Sequence, residues 1–332
     1  LYLFPRLHAA PTLETMASSA TTPDAAPPAP AAASGRDAPP SPDGWPGDLA
    51  GLRAELDEID DAIHDLLMRR AGLVGYLATA RFKAPGVALR PGREARIIRR
   101  LLDRHHGVLP KASIVRVWRE LLAATTAMQA AHVIAVCETD AGGGLTQVAR
   151  EHFGALTPLH VHSSPAQALA DVSTGGATAA VLPMPSDTDA PGAAWWTALL
   201  HKDQPRIHVI ARLPFWAPRP DGTPTMQALV IAAFAPDPSD ADRTLLGLEM
   251  ALDVSRARLT GAIAAAGLQP GRMILRRDPG ADFAQVFAEI DGAVAEDDPR
   301  LAAIGAVLRR PVVLGSYAVP IGGPAQPLNG GR

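Results

Sequence analysis

LAGLRAELDEIDDAIHDLLMRR, residues 49–70, decides how the first folded part of this chain is read. Leu49, Leu52, Leu56, Ile59, Ile63 and Leu66 recur in steps of three and four, and Val74 and Leu77 continue the series after one open slot. This spacing predicts a long amphipathic helix starting near Asp48, with a seam like that of a coiled coil. Arg70 fills the open slot, and Arg81 follows Leu77 by four. A charge on the buried side of a helix costs roughly several kcal/mol unless something compensates it, so arginines turned inward mark a place for an anion.

Pro85 and Gly86 end the first helix, and Pro91 suits the first position of a second one, whose stripe is Glu94, Ile97, Ile98, Leu101 and Leu102. After Pro110, Ile114, Trp118, Leu121, Leu122, Thr125 and Met128 predict a third helix, with Gln129 four residues beyond Thr125 on the same face. Arg53 and Arg70 are separated by roughly 25 Å of helix, too far for one small metabolite to touch both in one chain. Arg70 and Arg81, about three turns or roughly 16 Å apart, share a face and can converge on one ligand. So long a stripe on three helices favours an intertwined dimer in which Arg53 reaches the partner's pocket.

The chain has 332 residues, 47% hydrophobic and 20% charged, enough for two or three domains. Residues 1–47 read as a disordered Ala/Pro-rich tail, and Met16 as a candidate start. The single cysteine, Cys137, permits no intramolecular disulfide, and no apolar run is long enough for a membrane span, so a cytosolic setting is expected. The net charge is -3, yet residues 49–131 carry fourteen basic against nine acidic residues. Such a surplus suits a small acid and is weaker than the basic stripe of a nucleic-acid binder.

Four motifs now stand in order: residues 49–70, ARFK at 80–83, RPGREARIIRRLL at 90–102 and VWRELLAATTAMQ at 117–129. Together they resemble the all-helical chorismate mutases. The resemblance implies a three-helix domain at 48–131, an intertwined homodimer, and conversion of chorismate to prephenate in phenylalanine and tyrosine biosynthesis, without cofactor or metal. Position by position, it implies that Arg53 crosses to the partner's site and that Arg70 binds a carboxylate in its own chain. Arg81 stands where the family has a lysine donating to the ether oxygen, with Lys83 as the alternative. Arg93 and Glu94 match a pair whose glutamate takes the substrate hydroxyl, Thr125 stands where a serine is usual, and Gln129 matches the second donor to the ether oxygen. Arg90 replaces an aspartate often found there. Each residue also has a plain reading: Arg53 as a solvated helix residue, Arg70 paired with Asp61 or Asp65, Glu94 complementing a helix N-terminus, and Thr125 and Gln129 as ordinary polar residues.

Beyond residue 131, VIAVCE, AAVLPM and HVIARL read as strands and Leu145–Phe153 and Ser164–Val172 as helices, giving a small α/β domain at 132–222. Gly142–Leu145 reads as a turn or a weak anion cradle. From Met226, MQALVIAAF, RLTGAIAAAGL, GRMILRR, FAQVFAEIDG and LAAIGAVL read as a βαββα unit closed by PVVLGSYAVP. Residues 223–325 thereby resemble the ACT domain that ends prephenate dehydratases, and QPRIHVIAR resembles the segment before it. The family's Thr-Arg-Phe triplet reads Pro205-Arg206-Ile207, and the middle region is near half the length of a two-lobed dehydratase. Ala257-Arg258-Leu259 and Leu275-Arg276-Arg277-Asp278 stand in place of the phenylalanine-binding sequences, so an aromatic amino-acid effector is one reading beside a dimerising role. The expectation is a multidomain mutase with a degenerate dehydratase-like half. A bifunctional mutase-dehydratase, an isochorismate-pyruvate lyase and a non-catalytic amino-acid-sensing dimer are the alternatives.

Overall fold

The computed structural model describes residues 48–79, 88–139, 142–190, 193–201, 203–219, 221–223 and 225–322. Three helices open it: α1 (Leu49–Thr79), α2 (Pro91–Asp103) and α3 (Lys111–Ala127). The seam arginine Arg81 and its alternative Lys83 lie outside the described residues. None of the α1 residues is buried, and most of its stripe is open, with Leu49, Leu56, Ile59, Ile63, Leu66 and Leu77 exposed, Leu66 at 64%, and Leu52 and Val74 partly covered.

α2 and α3 behave differently. Ala95, Ile98 and Leu102 of α2 pack with Val115 and Leu122 of α3, and Phe215 and Ala318 from later in the chain complete that core. Arg99 fastens α2 to the same neighbours, donating to the carbonyls of Ser239, Ala241 and Val319 at 2.6, 3.1 and 2.8 Å. Pro91 opens α2 and Arg90 offers it no side-chain cap. Asp237 supplies one from a distant loop, accepting from the backbone N–H groups of Gly92 and Arg93 at 3.0 and 2.9 Å. A Cβ on Gly92 would stand 2.1 Å from the Asp237 carbonyl oxygen, so only glycine admits that loop.

The rest of the described chain is α/β. Its strands are β1 (Ile134–Cys137), β2 (Leu159–His162), β3 (Ala179–Pro183), β4 (His208–Leu213), β5 (Ala228–Ala232), β6 (Asp242–Met250), β7 (Pro270–Arg276), β8 (Ala284–Asp291) and β9 (Val312–Ala318). They form one sheet in the order β2-β1-β3-β5-β4-β9-β6-β8-β7. The β1–β2, β1–β3 and β4–β9 pairs are parallel, and the other neighbours are antiparallel. Helix α4 (Gly144–Phe153) covers one face of β1, burying Ile134 and Val136 with Leu145 and Phe153. Helix α5 (Pro165–Ser173) covers the other, with Ala135 and Cys137 against Ala168 and Val172. Burial on both faces is why IAVC is apolar at every position rather than at alternate ones.

One sheet carries strands from both sides of residue 222, because β5 lies between β3 and β4. The expected βαββα unit is corrected here: MQALVIAAF joins the first half of the sheet, and the unit opens instead with β6, a strand the sequence reading lacked. From there the order is β6, α6 (Arg256–Ala265), β7, β8, α7 (Pro299–Ala302), β9, a split βαβ arrangement of four strands. The helix expected across LAAIGAVL shrinks to the single turn of α7, because the chain passes Gly305 and then places Ala306 at φ +64°, a left-handed conformation that no helix contains. The two halves meet where Val209 pairs with Gly315, whose φ is +137° and whose Cβ would fall 2.1 Å from the Val209 carbonyl oxygen. Only glycine fits there.

Candidate functional site

Among the described residues, three of the expected site residues come together. The Arg70 side chain leaves α1 half-buried, and its Nη1 donates to the Thr125 hydroxyl on α3 at 3.3 Å. Thr125 is buried and donates in turn to the carbonyls of Leu121 and Leu122, 2.8 and 3.2 Å away, which fixes its rotamer. One turn on, the Gln129 amide nitrogen donates to the Thr125 carbonyl at 2.8 Å, orienting that amide just past the end of α3. No carboxylate among the described residues pairs with Arg70, and Asp65 stands against His64 instead. Burial holds the Arg70 guanidinium below its ordinary pKa, the signature of a cation stripped of water without a compensating anion.

Glu94 and Arg119 form a second, separate constellation. The Glu94 carboxylate is buried on α2 and accepts from Arg119 Nη1 at 2.9 Å, while the Arg119 guanidinium lies 5.0 Å from the centre of the Phe215 ring. Burial pushes Arg119 down to about 10 and lifts the Glu94 carboxyl, and the attraction between the two opposes both shifts. Arg119 therefore remains a cation at neutral pH and neutralises a carboxylate that the sequence alone offered to a substrate hydroxyl. Arg119 was not among the expected residues. Its signal was present in the buried series Val115, Arg119, Leu122, Thr126, the same interruption of an apolar stripe that singled out Arg70.

Arg53 and Arg93 are exposed, and Arg93 contributes only its backbone N–H to Asp237. Arg81 and Lys83 lie outside the described residues. A cavity of about 680 Å³ lies elsewhere, between α3, α4 and the segment around Phe215, with Arg116, Arg119, Glu120, His152 and Arg219 in its wall. Of the dehydratase-like triplet, Arg206 is engaged by Glu296 at 2.7 Å and donates to the Val313 carbonyl at 3.0 Å.

Residues 52–130 match the family described as chorismate mutase type II. A bifunctional chorismate mutase/prephenate dehydratase of Neisseria gonorrhoeae is 34% identical over 102 residues, covering 31% of this chain and 27% of the relative. A protein of the same description from Pseudomonas aeruginosa is 24% identical over 147 residues, covering 42% of this chain and 40% of the relative. The chain thus spans well under half the length of either. Among solved structures, a prephenate dehydratase from Streptococcus mutans overlays with a TM-score of 0.41 at 15% identity, over 57% of this chain and 98% of that one.

Proposed function

We propose that the helical region at 48–131 is a chorismate mutase that rearranges chorismate to prephenate. The observation that carries this reading is Arg70, a half-buried cation without an acidic partner among the described residues, hydrogen-bonded to Thr125 within the stretch that matches the mutase family. A [3,3] rearrangement requires the enzyme to hold a dianion in its compact diaxial form and to stabilise negative charge on the ether oxygen as the C–O bond breaks. Arg70 binds one carboxylate, with Thr125 setting the guanidinium plane. Gln129 is assigned as the second donor to the ether oxygen, with Arg81 or Lys83, on the strength of the family resemblance. The Glu94–Arg119 pair then acts as a buried support that ties α2 to α3.

The uncovered stripe of α1 fits a homodimer in which each copy seats this helix against the other and Arg53 completes the partner's site. Purified protein incubated with chorismate is expected to deplete its absorbance and yield prephenate. Arg70→Ala, folded by circular dichroism, is expected to lose at least about a hundredfold in kcat/KM, the usual loss for one oriented donor. Normal turnover in that variant ends the site assignment. Pyruvate release from isochorismate would instead identify a lyase, and phenylpyruvate from prephenate a retained dehydratase. Against the latter stand Pro205 in place of the triplet's threonine and the engagement of Arg206 by Glu296.

A further inference from the structure

Strand β2 is an edge strand, hydrogen-bonded to β1 alone. His160 and His162 stand two residues apart on it, so both side chains leave the same face, and α5 brings Asp171 over that face. One carboxylate oxygen, Asp171 Oδ2, lies 2.8 Å from His160 Nδ1 and 3.0 Å from His162 Nε2. All three donor atoms fall within 4.8 Å of one another. We propose that His160, His162 and Asp171 bind one divalent transition-metal ion of the zinc class and that this ion ties β2 to α5.

The donor set carries the inference. Two imidazoles and one carboxylate suit a borderline ion, and three protein ligands leave a position for water. Bonds of roughly 2.0–2.2 Å to such an ion place tetrahedral donors about 3.3 to 3.6 Å apart. The two oxygen–nitrogen separations are already close to that range, and small side-chain rotations close the third. His160 is about half exposed and gives the ion an entry path, whereas Asp171 is largely covered.

The backbone that carries Asp171 is also fixed. The backbone N–H groups of Gly176 and Ala177 donate to the Asp171 carbonyl at 2.9 and 3.1 Å, folding the chain back over the end of α5. A Cβ at position 176 would sit 2.1 Å from Asp171 Oδ1, so glycine there leaves room for the carboxylate in its present orientation. This is a positioned ligand group on rigid elements rather than a loose surface acid.

The test uses the full chain, stripped of metal by a chelator and titrated with Zn2+ against a chromophoric competitor at pH 7.5. One ion per chain at micromolar affinity or better is expected, with a rise of several degrees in Tm. Co2+ is expected to give the intense visible absorption of a low-coordinate site. Affinity is expected to fall at least tenfold in His160→Ala, in His162→Ala and in Asp171→Asn. Because His160 is half exposed, its alanine variant is expected to keep the metal-free Tm, which separates loss of a ligand from loss of the fold. Absence of stoichiometric binding, or binding undiminished in the His160 and His162 variants, overturns the proposal.

Discussion

A single arginine that breaks an apolar stripe can mean two things, and this chain contains both. Arg119 interrupts the buried face of α3 and is neutralised within the protein by Glu94. Arg70 interrupts the seam of α1 and, among the described residues, no carboxylate neutralises it. Sequence spacing flags both positions alike because it registers only that a charge faces inward. Which of them keeps its charge for a ligand depends on a neighbour from another helix, and that is a fact of tertiary structure. The distinction has a measurable consequence. Glu94→Ala leaves Arg119 buried without its counter-charge and is expected to cost about 3 to 5 kcal/mol of folding stability in urea titrations. Arg70→Ala removes a half-buried cation with no counter-charge among the described residues, so its stability is expected to change little or to rise while turnover collapses. Equal destabilisation by the two substitutions would contradict the division of roles.

Among the elements, legibility in the sequence tracked how much of each signal was local. α1 is a long series of apolar steps with one open slot, and its start near Asp48 follows from the sequence, while its expected end at Pro85 lies outside the described residues. β1, β3, β4, β7 and β8 are dense in apolar and β-branched residues and were equally plain. β2, with the sequence LHVH, has neither the length nor the apolar content to stand out, because an edge strand is covered on fewer sides. β6 was missed for another reason. Leu245 faces one core while Leu246 and Leu248 face another, and Gly247 between the leucines, with Asp242, Arg243 and Glu249 toward the strand ends, removes the alternation that marks a strand. The cap of α2 was invisible because it comes from Asp237, far along the chain. Asp237→Ala is expected to cost about 1 kcal/mol through loss of that cap, with amide exchange quickened selectively in the first turn of α2. Unchanged exchange at Gly92 and Arg93 would show that the cap does not hold that turn.

For the molecule as a whole, three buried histidines set the response to acid. His132, His152 and His208 are all held below the ordinary imidazole value, chiefly by burial, and His152 furthest, with the charges of Arg119 and His132 adding to the effect. Above about pH 6.5 these groups are neutral in both folded and unfolded chains. As the pH falls below it the unfolded chain takes up protons first, so the stability these groups leave intact at neutral pH is lost progressively. A histidine kept neutral in the fold contributes about 1.4 kcal/mol per pH unit in that range. Glu94, whose carboxyl is raised, acts in the opposite sense, one group against three. The urea midpoint is therefore expected to drop between pH 7.5 and pH 5.5, and His152→Leu to flatten that dependence whatever it does to stability at pH 7.5. A midpoint indifferent to pH would refute this account.

The bare stripe of α1 has a consequence for any assay of the protein. If each subunit borrows its neighbour's Arg53, catalytic competence is a property of pairs, and mass action rather than folding sets the working concentration. Specific activity is then expected to decline as the enzyme is diluted below the dissociation constant of the pair and to recover when an inactive Arg70→Ala chain, still carrying its own Arg53, is added back. A rate strictly proportional to protein down to the lowest measurable concentration, with no recovery on mixing, would mean that a lone chain suffices.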